Sequence, residues 1–156
     1  MIHLKRTHSE NEDFKKLTQQ LDSDLNGRYS ELQTQYDVYN KIEHIHTVVV
    51  AYSGDTPVGC GCFKAYSNTA VEIKRMFVKP SFRGKGIATL ILTELERWAS
   101  EMNYSHTTLE TGIKQFEAIS FYNRLGYKRI ANYGQYIGNE NSVCMEKIIV
   151  FGVETR

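Results

Sequence analysis

Apolar and polar positions along the chain switch between two periods, and each switch marks an element. Ile2 to Arg6 alternates like a short strand. From about Asn11 to Leu32 the pattern is helical, with Phe14, Leu17, Leu21 and Leu25 at three- and four-residue spacing and Gly27 weakening or ending the run. A tyrosine-rich stretch with Tyr29, Tyr36 and Tyr39 reads as a second short helix or a loop. Val48–Tyr52 and Val58–Tyr66 are strands joined by the turn Ser53-Gly54-Asp55-Thr56-Pro57, hence a hairpin. Ser67–Thr69 turns the chain into a strand from Ala70 to Val78, stopped by Pro80, which cannot donate to a ladder.

Beyond the glycines at 84 and 86 the period returns to that of a helix. Ile87, Leu90, Ile91, Leu95, Trp98 and Met102 form its predicted apolar face, with Glu94, Glu96, Arg97 and Glu101 largely away from it. Thr107–Glu110 is a short strand, and Phe116–Leu125 is a helix with Gly126 as its C-terminal cap. Tyr127–Tyr133 and Val143–Phe151 are closing strands. This order predicts an α/β fold with a mixed sheet and one strand–helix–strand crossover in its middle. At 156 residues, with no repeat and no Pro/Ser-rich linker, the chain fits a single domain over 1–156.

Composition narrows the function classes. A formal net charge of +1 gives no field that would gather nucleic acid or an anionic membrane. The apolar runs are far shorter than the roughly 20 residues of a bilayer span. Met1–Arg6 lacks a signal-peptide apolar stretch, so a cytoplasmic location is expected. Of the three cysteines, Cys60 and Cys62 sit in an apolar run with too few further ligands for zinc, and read as small core or sheet-face thiols. His44-x-His46 is the one histidine spacing of note; with no third ligand evident, no metal site is expected.

The most informative segment is Arg83-Gly84-Lys85-Gly86-Ile87-Ala88, between a strand and an amphipathic helix. A helix start leaves backbone N–H groups unpaired and carries partial positive charge. Glycines let that backbone approach an anion closely, and Arg83 and Lys85 add full charges. The residues therefore suit phosphate, although a plain tight strand-to-helix turn would use the same types. Lys85 is misplaced for a Walker loop, and Thr89 stands where a Rossmann loop needs its third glycine.

Arg83-x-x-Gly86-x-Ala88 resembles the [Q/R]-x-x-G-x-[G/A] signature of the GNAT N-acetyltransferase superfamily, and follows Lys74–Pro80 as in that family. Downstream, Glu117-Ala118-Ile119-Ser120-Phe121-Tyr122-Asn123-Arg124-Leu125-Gly126-Tyr127 is similar to the family's A-x-x-[FL]-Y-x-x-x-G-[FY] helix. The resemblance covers nearly the whole chain and is least specific before Thr47. Glu72–Val78, Leu109–Gly112 with Gln115, and Tyr136 with Ser142–Lys147 look like a branch of small bacterial-type GNAT proteins of unassigned substrate.

The resemblance implies the GNAT fold, a mostly antiparallel central sheet of about six to seven strands flanked by helices, and acetyl-CoA as cosubstrate. It places the pantetheine arm on the backbone of Met76, Phe77 and Val78, and the diphosphate on the amides of Gly84, Lys85, Gly86, Ile87 and Ala88, with Arg83 anchoring the turn. Tyr122 matches the position of a tyrosine aimed at the coenzyme A sulfur, where a phenol of ordinary pKa about 10 can supply a proton; packing beside Phe121 is the alternative.

An alkyl ammonium is only on the order of one part in a thousand neutral at pH 7, so a base assists attack. Glu72, fourteen positions before Gly86, is the first candidate, and Glu110 on the neighbouring strand is the second. Alternation puts Glu72, Lys74, Met76 and Val78 on one face. A structural charge pair of Glu72 with Lys74 or Arg75 is the alternative. By resemblance, the first helical pair and the last hairpin shape the acceptor site, which brings in Tyr29, Tyr36, Tyr133 and Tyr136.

These expectations describe an acetyl-CoA-dependent N-acetyltransferase acting by direct attack in a ternary complex on a small-molecule amine. Protein lysines or amino termini are alternative acceptors, a non-catalytic acyl-CoA-binding regulator is a rival reading, and a homodimer is left open. No nucleophile–base pair for a ping-pong route is readable.

Overall fold

The structure, a computed structural model, describes residues 1–28 and 44–149. Seven strands form one sheet in the order β1-β2-β3-β4-β5-β7-β6: β1 Ile2–Thr7, β2 Val48–Ser53, β3 Thr56–Ala65, β4 Ala70–Val78, β5 His106–Gly112, β6 Lys128–Ile130 and β7 Ser142–Ile148. Among the described residues three α-helices accompany them, α1 Glu12–Arg28, α2 Ile87–Glu101 and α3 Phe116–Arg124. β1 with β2, β2 with β3, β5 with β7 and β6 with β7 pair antiparallel, whereas β4 and β5 run parallel. A parallel neighbour demands a crossover, and α2 supplies it, as the change of period predicted. Two compact units divide the chain, Met1–Lys64 with Lys74–Leu95, and Ala65–Ile73 with Glu96–Arg156.

In the first unit, α1 begins where the Asn11 side chain accepts the Phe14 N–H at 2.9 Å, satisfying an orphan donor of the first turn. Phe14 and Leu17 pack with Val48, Val50, Cys60, Cys62 and Phe77 in a buried cluster, with Leu21 at its margin. The helix includes Gly27; Tyr29, Tyr36, Tyr39 and the rest of the predicted stretch to Leu32 lie outside the described residues. On the other face of β3, a Cβ on Gly59 would stand 2.9 Å from Ile91 and 3.0 Å from the Phe77 carbonyl, so glycine there lets α2 lie close. The cysteines are buried thiols, and those of Cys60 and Cys62 donate to the carbonyls of Arg75 and Lys74, which is the sheet-face role.

The buried stripe of α2 is rotated from the predicted one. Ile87, Ile91, Leu92, Leu95 and Ala99 are buried, while Leu90 is 44% exposed. At about 100° per residue the buried arc centres near Leu95, which swings Leu90 outward and brings Glu96 in. Met102 is 47% exposed because it lies past the last helical residue, where the period no longer governs direction.

Glu96, expected on the polar side, is 3% exposed within the second unit. Its carboxylate accepts the Tyr127 hydroxyl at 2.8 Å and pairs with Lys147 at 3.1 Å; the Tyr127 and Thr107 hydroxyls lie 2.7 Å apart. Tertiary partners thus override the amphipathic pattern. Because the Lys147 ammonium, with its side chain 28% exposed, regains water once unpaired, Glu96→Ala is expected to destabilise by about 2 kcal/mol. Urea denaturation of the variant measures this directly.

β6 is shorter than the predicted Tyr127–Tyr133. Tyr127 is taken by the end of α3, where its N–H bonds the Tyr122 carbonyl and Gly126 (φ +96°) bonds that of Asn123, the paired closure that a left-handed residue permits. Asn132 ends the strand at the other side by donating to the carbonyls of Tyr136 and Asn139. β5 exceeds its predicted length because its whole run, His106 to Gly112, finds partners in β7.

Candidate functional site

The turn before α2 belongs to the first unit. β4 ends in a single turn of tighter helix, Pro80–Phe82, and the Arg83 Nε–H returns to the Val78 carbonyl at 2.8 Å. The Arg83 guanidinium stands 5.6 Å from the centre of the Phe77 ring, and the Lys85 ammonium 5.4 Å from that of Phe82. Gly84 and Gly86 hold φ of +78° and +83°, the left-handed region that residues with a Cβ avoid. No atom lies within 4 Å of a Cβ built on either glycine, so the surface over both is open. Ile87 is buried and begins α2, and the Gly86 carbonyl accepts the Leu90 N–H. The amides of Ile87, Ala88 and Thr89 are therefore first-turn donors with no intrahelical acceptor.

Along β4, Arg75 has φ +60°, far outside the β region for a residue with a side chain. This residue interrupts the regular pleat that the alternation of Glu72, Lys74, Met76 and Val78 assumes. Beyond it, Phe77 packs in the α1 cluster, while Met76 and Val78 approach Gly61 and Gly59 on the α2 side. Arg75 donates to the Thr18 carbonyl and pairs with Asp22 at 2.9 Å. The parallel ladder of β4 with β5 runs from Ala70↔His106 to Ile73↔Leu109, and Met76, Phe77 and Val78 lie past its end.

In the second unit Glu72 is 4% exposed. Its Oε2 accepts hydrogen bonds from the hydroxyls of Tyr133 and Tyr136, each at 3.0 Å. The structural alternative, a charge pair with Lys74 or Arg75, gives way to two neutral donors brought from 61 and 64 residues away. Tyr136 ends the short helical turn Gly134–Tyr136 and is 2% exposed. Its ring meets that of Tyr133 edge-on at 5.5 Å, and Tyr133 meets Tyr66 at 4.8 Å. Burial first, then the Glu72 charge, pushes both phenols well above the usual tyrosine range, and Glu110 adds to the effect at Tyr136. Glu110, half-buried on β5, faces Cys144 in the β5–β7 register.

Tyr122 is also in this unit, on α3, and is 7% exposed. Its ring packs edge-on against Tyr127 at 5.5 Å and Phe121 at 5.1 Å. Burial raises its phenol far above the ordinary value, so it stays protonated throughout the physiological range.

The structure thus gathers Glu72, Tyr133 and Tyr136, with Glu110 near, and shapes Arg83–Ala88 as an open turn; Tyr29 and Tyr36 fall outside the described residues. Sequence reasoning missed that Tyr133 and Tyr136 bond Glu72, and that Arg75 takes a positive φ within β4; no local spacing signals either. A cavity of about 400 Å³ beside α1, lined by Ser9, Phe14, Thr18, Asp22 and Arg75 among others, includes none of the predicted site residues. Among the described residues no group of three or more His, Cys, Asp or Glu is placed to hold a metal ion, and no helix is long and apolar enough to cross a membrane.

Comparison with known proteins adds to this geometry. The acetyltransferase (GNAT) family matches residues 12–127. An IAA acetyltransferase of Azospirillum brasilense is 35% identical over 100 residues, 64% of this chain and 65% of that protein. An uncharacterized N-acetyltransferase of Escherichia coli (strain K12) is 32% identical over 101 residues, 64% of this chain and 60% of its own length. The chain therefore spans less than two thirds of the length of either relative. A candidate acyl-CoA N-acyltransferase of Klebsiella pneumoniae superposes with a TM-score of 0.79 at 25% identity, covering 96% of this chain and 99% of that one. The PaiA N-acetyltransferase of Thermoplasma acidophilum, solved in complex with coenzyme A, gives a TM-score of 0.71 at 19% identity over 95% and 99%. The seven-stranded mixed sheet with three helices is that of the GNAT acyl-CoA N-acyltransferases.

Proposed function

We infer that this chain, which belongs to the acetyltransferase (GNAT) family by the match over residues 12–127, transfers an acetyl group from acetyl-CoA to a primary amine, with small-molecule amines as the acceptor class to test first. The reading takes residues 1–156 as one acetyltransferase domain. The observation that carries it is the turn at Arg83–Ala88: two glycines at positive φ under open space, two flanking cations, and first-turn amides of α2. These groups fit a diphosphate, because they offer donors and positive charge without a Cβ in the way. The thioester of bound acetyl-CoA supplies an activated acetyl group.

The rest is work for this chain's own residues. Gly84, Lys85, Gly86, Ile87 and Ala88 donate amides to the diphosphate, and Arg83 locks the turn through the Val78 carbonyl. The backbone of Met76, Phe77 and Val78, past the end of the β4–β5 ladder, pairs with the pantetheine arm. Glu72 takes a proton from the acceptor ammonium, directly or through water, with Glu110 as the second carboxylate. Tyr122 gives a proton to the departing thiolate. Holding both substrates together replaces a bimolecular encounter and supplies a large part of the rate.

Calorimetry with acetyl-CoA and a thiol-release assay over small amines and amino-terminal and lysine peptides test the reading. A Kd on the order of 10 µM and thiol release with at least one amine are expected; no heat of binding would overturn it. Gly86→Val refines the test. Valine at φ +83° is strained and its side chain fills the open seat, so acetyl-CoA affinity is expected to fall about 30-fold or more.

A further inference from the structure

Glu72 is held in an unusual way for a buried carboxylate. Among the described residues its hydrogen bonds come from two phenols, and both fall on Oε2. The donors are themselves fixed. The Tyr136 N–H bonds the Tyr133 carbonyl, Asn139 bonds Tyr136, and the Asn132 amide ties the carbonyls of Tyr136 and Asn139 together. The two rings meet edge-on, and Tyr66 packs on the outer one. The connection between β6 and β7 is thus built as a bracket with two hydroxyls on one oxygen.

Neutral donors do two things that a lysine or arginine would not do together. They stabilise the ionised carboxylate against desolvation, and they leave its negative charge uncancelled. An arginine on Oε2 would bring the site to zero charge and compete with any incoming cation. Resting on the reading of Glu72 as the group that meets the acceptor, we propose that Tyr133 and Tyr136 are positioning residues that keep Glu72 an oriented anion, with Oε1 presented to a primary alkylamine arriving as its ammonium ion. Tyr136 therefore acts through Glu72 and not as a wall of the acceptor pocket. Titratable groups that share this surrounding include Glu110 on β5 and Cys144 on β7, whose thiol is pushed up to about 11, chiefly by burial. Arg129 on β6 acts on that thiol as well.

The test uses Tyr133→Phe, Tyr136→Phe and the double variant, which keep the rings and remove only the hydroxyls. Glutamate labelled with ¹³C at the carboxyl carbon gives the Glu72 signal at one fixed pH, assigned by its loss in Glu72→Gln. That signal is expected to shift with each phenol removed, because each removal takes a hydrogen bond from the carboxylate. In turnover with alkylamines, kcat falls about tenfold in the double variant, and KM for acetyl-CoA stays within about twofold. A merely packing role for the tyrosines would move neither the carboxyl signal nor kcat. An unchanged Glu72 signal in the double variant overturns the positioning role, whatever the activity. A signal that moves in a protein releasing thiol with no amine overturns the acceptor reading instead, so the two failures are told apart.

Discussion

Glu72→Gln is expected to lower kcat with an alkylamine acceptor by about 100- to 1,000-fold at neutral pH, the usual weight of a positioned general base. Glutamine keeps the volume and an oxygen that can accept the two phenols, so the fold survives and the melting temperature shifts little. What is lost is the anion. An amide cannot take a proton, and its NH2 group would face the ammonium with like polarity. The deficit should shrink as pH rises, by about tenfold per unit toward the amine's own pKa near 10.4, because the free amine then arrives without help. Stopped-flow or coupled thiol assays between pH 6 and 10 read this. Glu110→Gln is the control: a loss there and full activity in Glu72→Gln would hand the role to the second carboxylate. Burial and two fixed donors favour Glu72.

Tyr122→Phe should lower kcat by about 100-fold and leave KM for acetyl-CoA within about threefold. The ring contacts with Tyr127 and Phe121 persist in phenylalanine, so a fall in rate isolates the hydroxyl. The sign of the pH dependence follows from burial. A phenol pushed above its ordinary range keeps its proton to higher pH, so the wild-type kcat profile should show no basic limb from Tyr122 below about pH 10. Unchanged kcat in the variant would reduce Tyr122 to a packing residue.

The open turn at Arg83–Ala88 was legible in the residues because its geometry is local. Gly84 and Gly86 are needed where the chain turns at positive φ, and the change from alternating to helical period shows where α2 begins. The helix with Tyr122 and its glycine cap was legible for the same reason, since every bond of that closure spans five residues or fewer. The cluster around Glu72 was not. Tyr133 reaches Glu72 across 61 positions, and a lone tyrosine in a sequence looks the same whether it packs or donates.

By itself, then, the order of residues determined most of the described elements, the single parallel crossover, the glycine turn before α2 and the resemblance to one family. These depend on backbone period, glycine conformation and contacts within a few residues. Only the tertiary structure decided that Glu96 is buried against Lys147 and Tyr127, that Arg75 takes a positive φ within β4, and that Glu72 answers to two phenols. Each of those outcomes is set by which distant strand or loop lies alongside, and pairing energies between remote segments leave no periodic trace in the chain that encodes them.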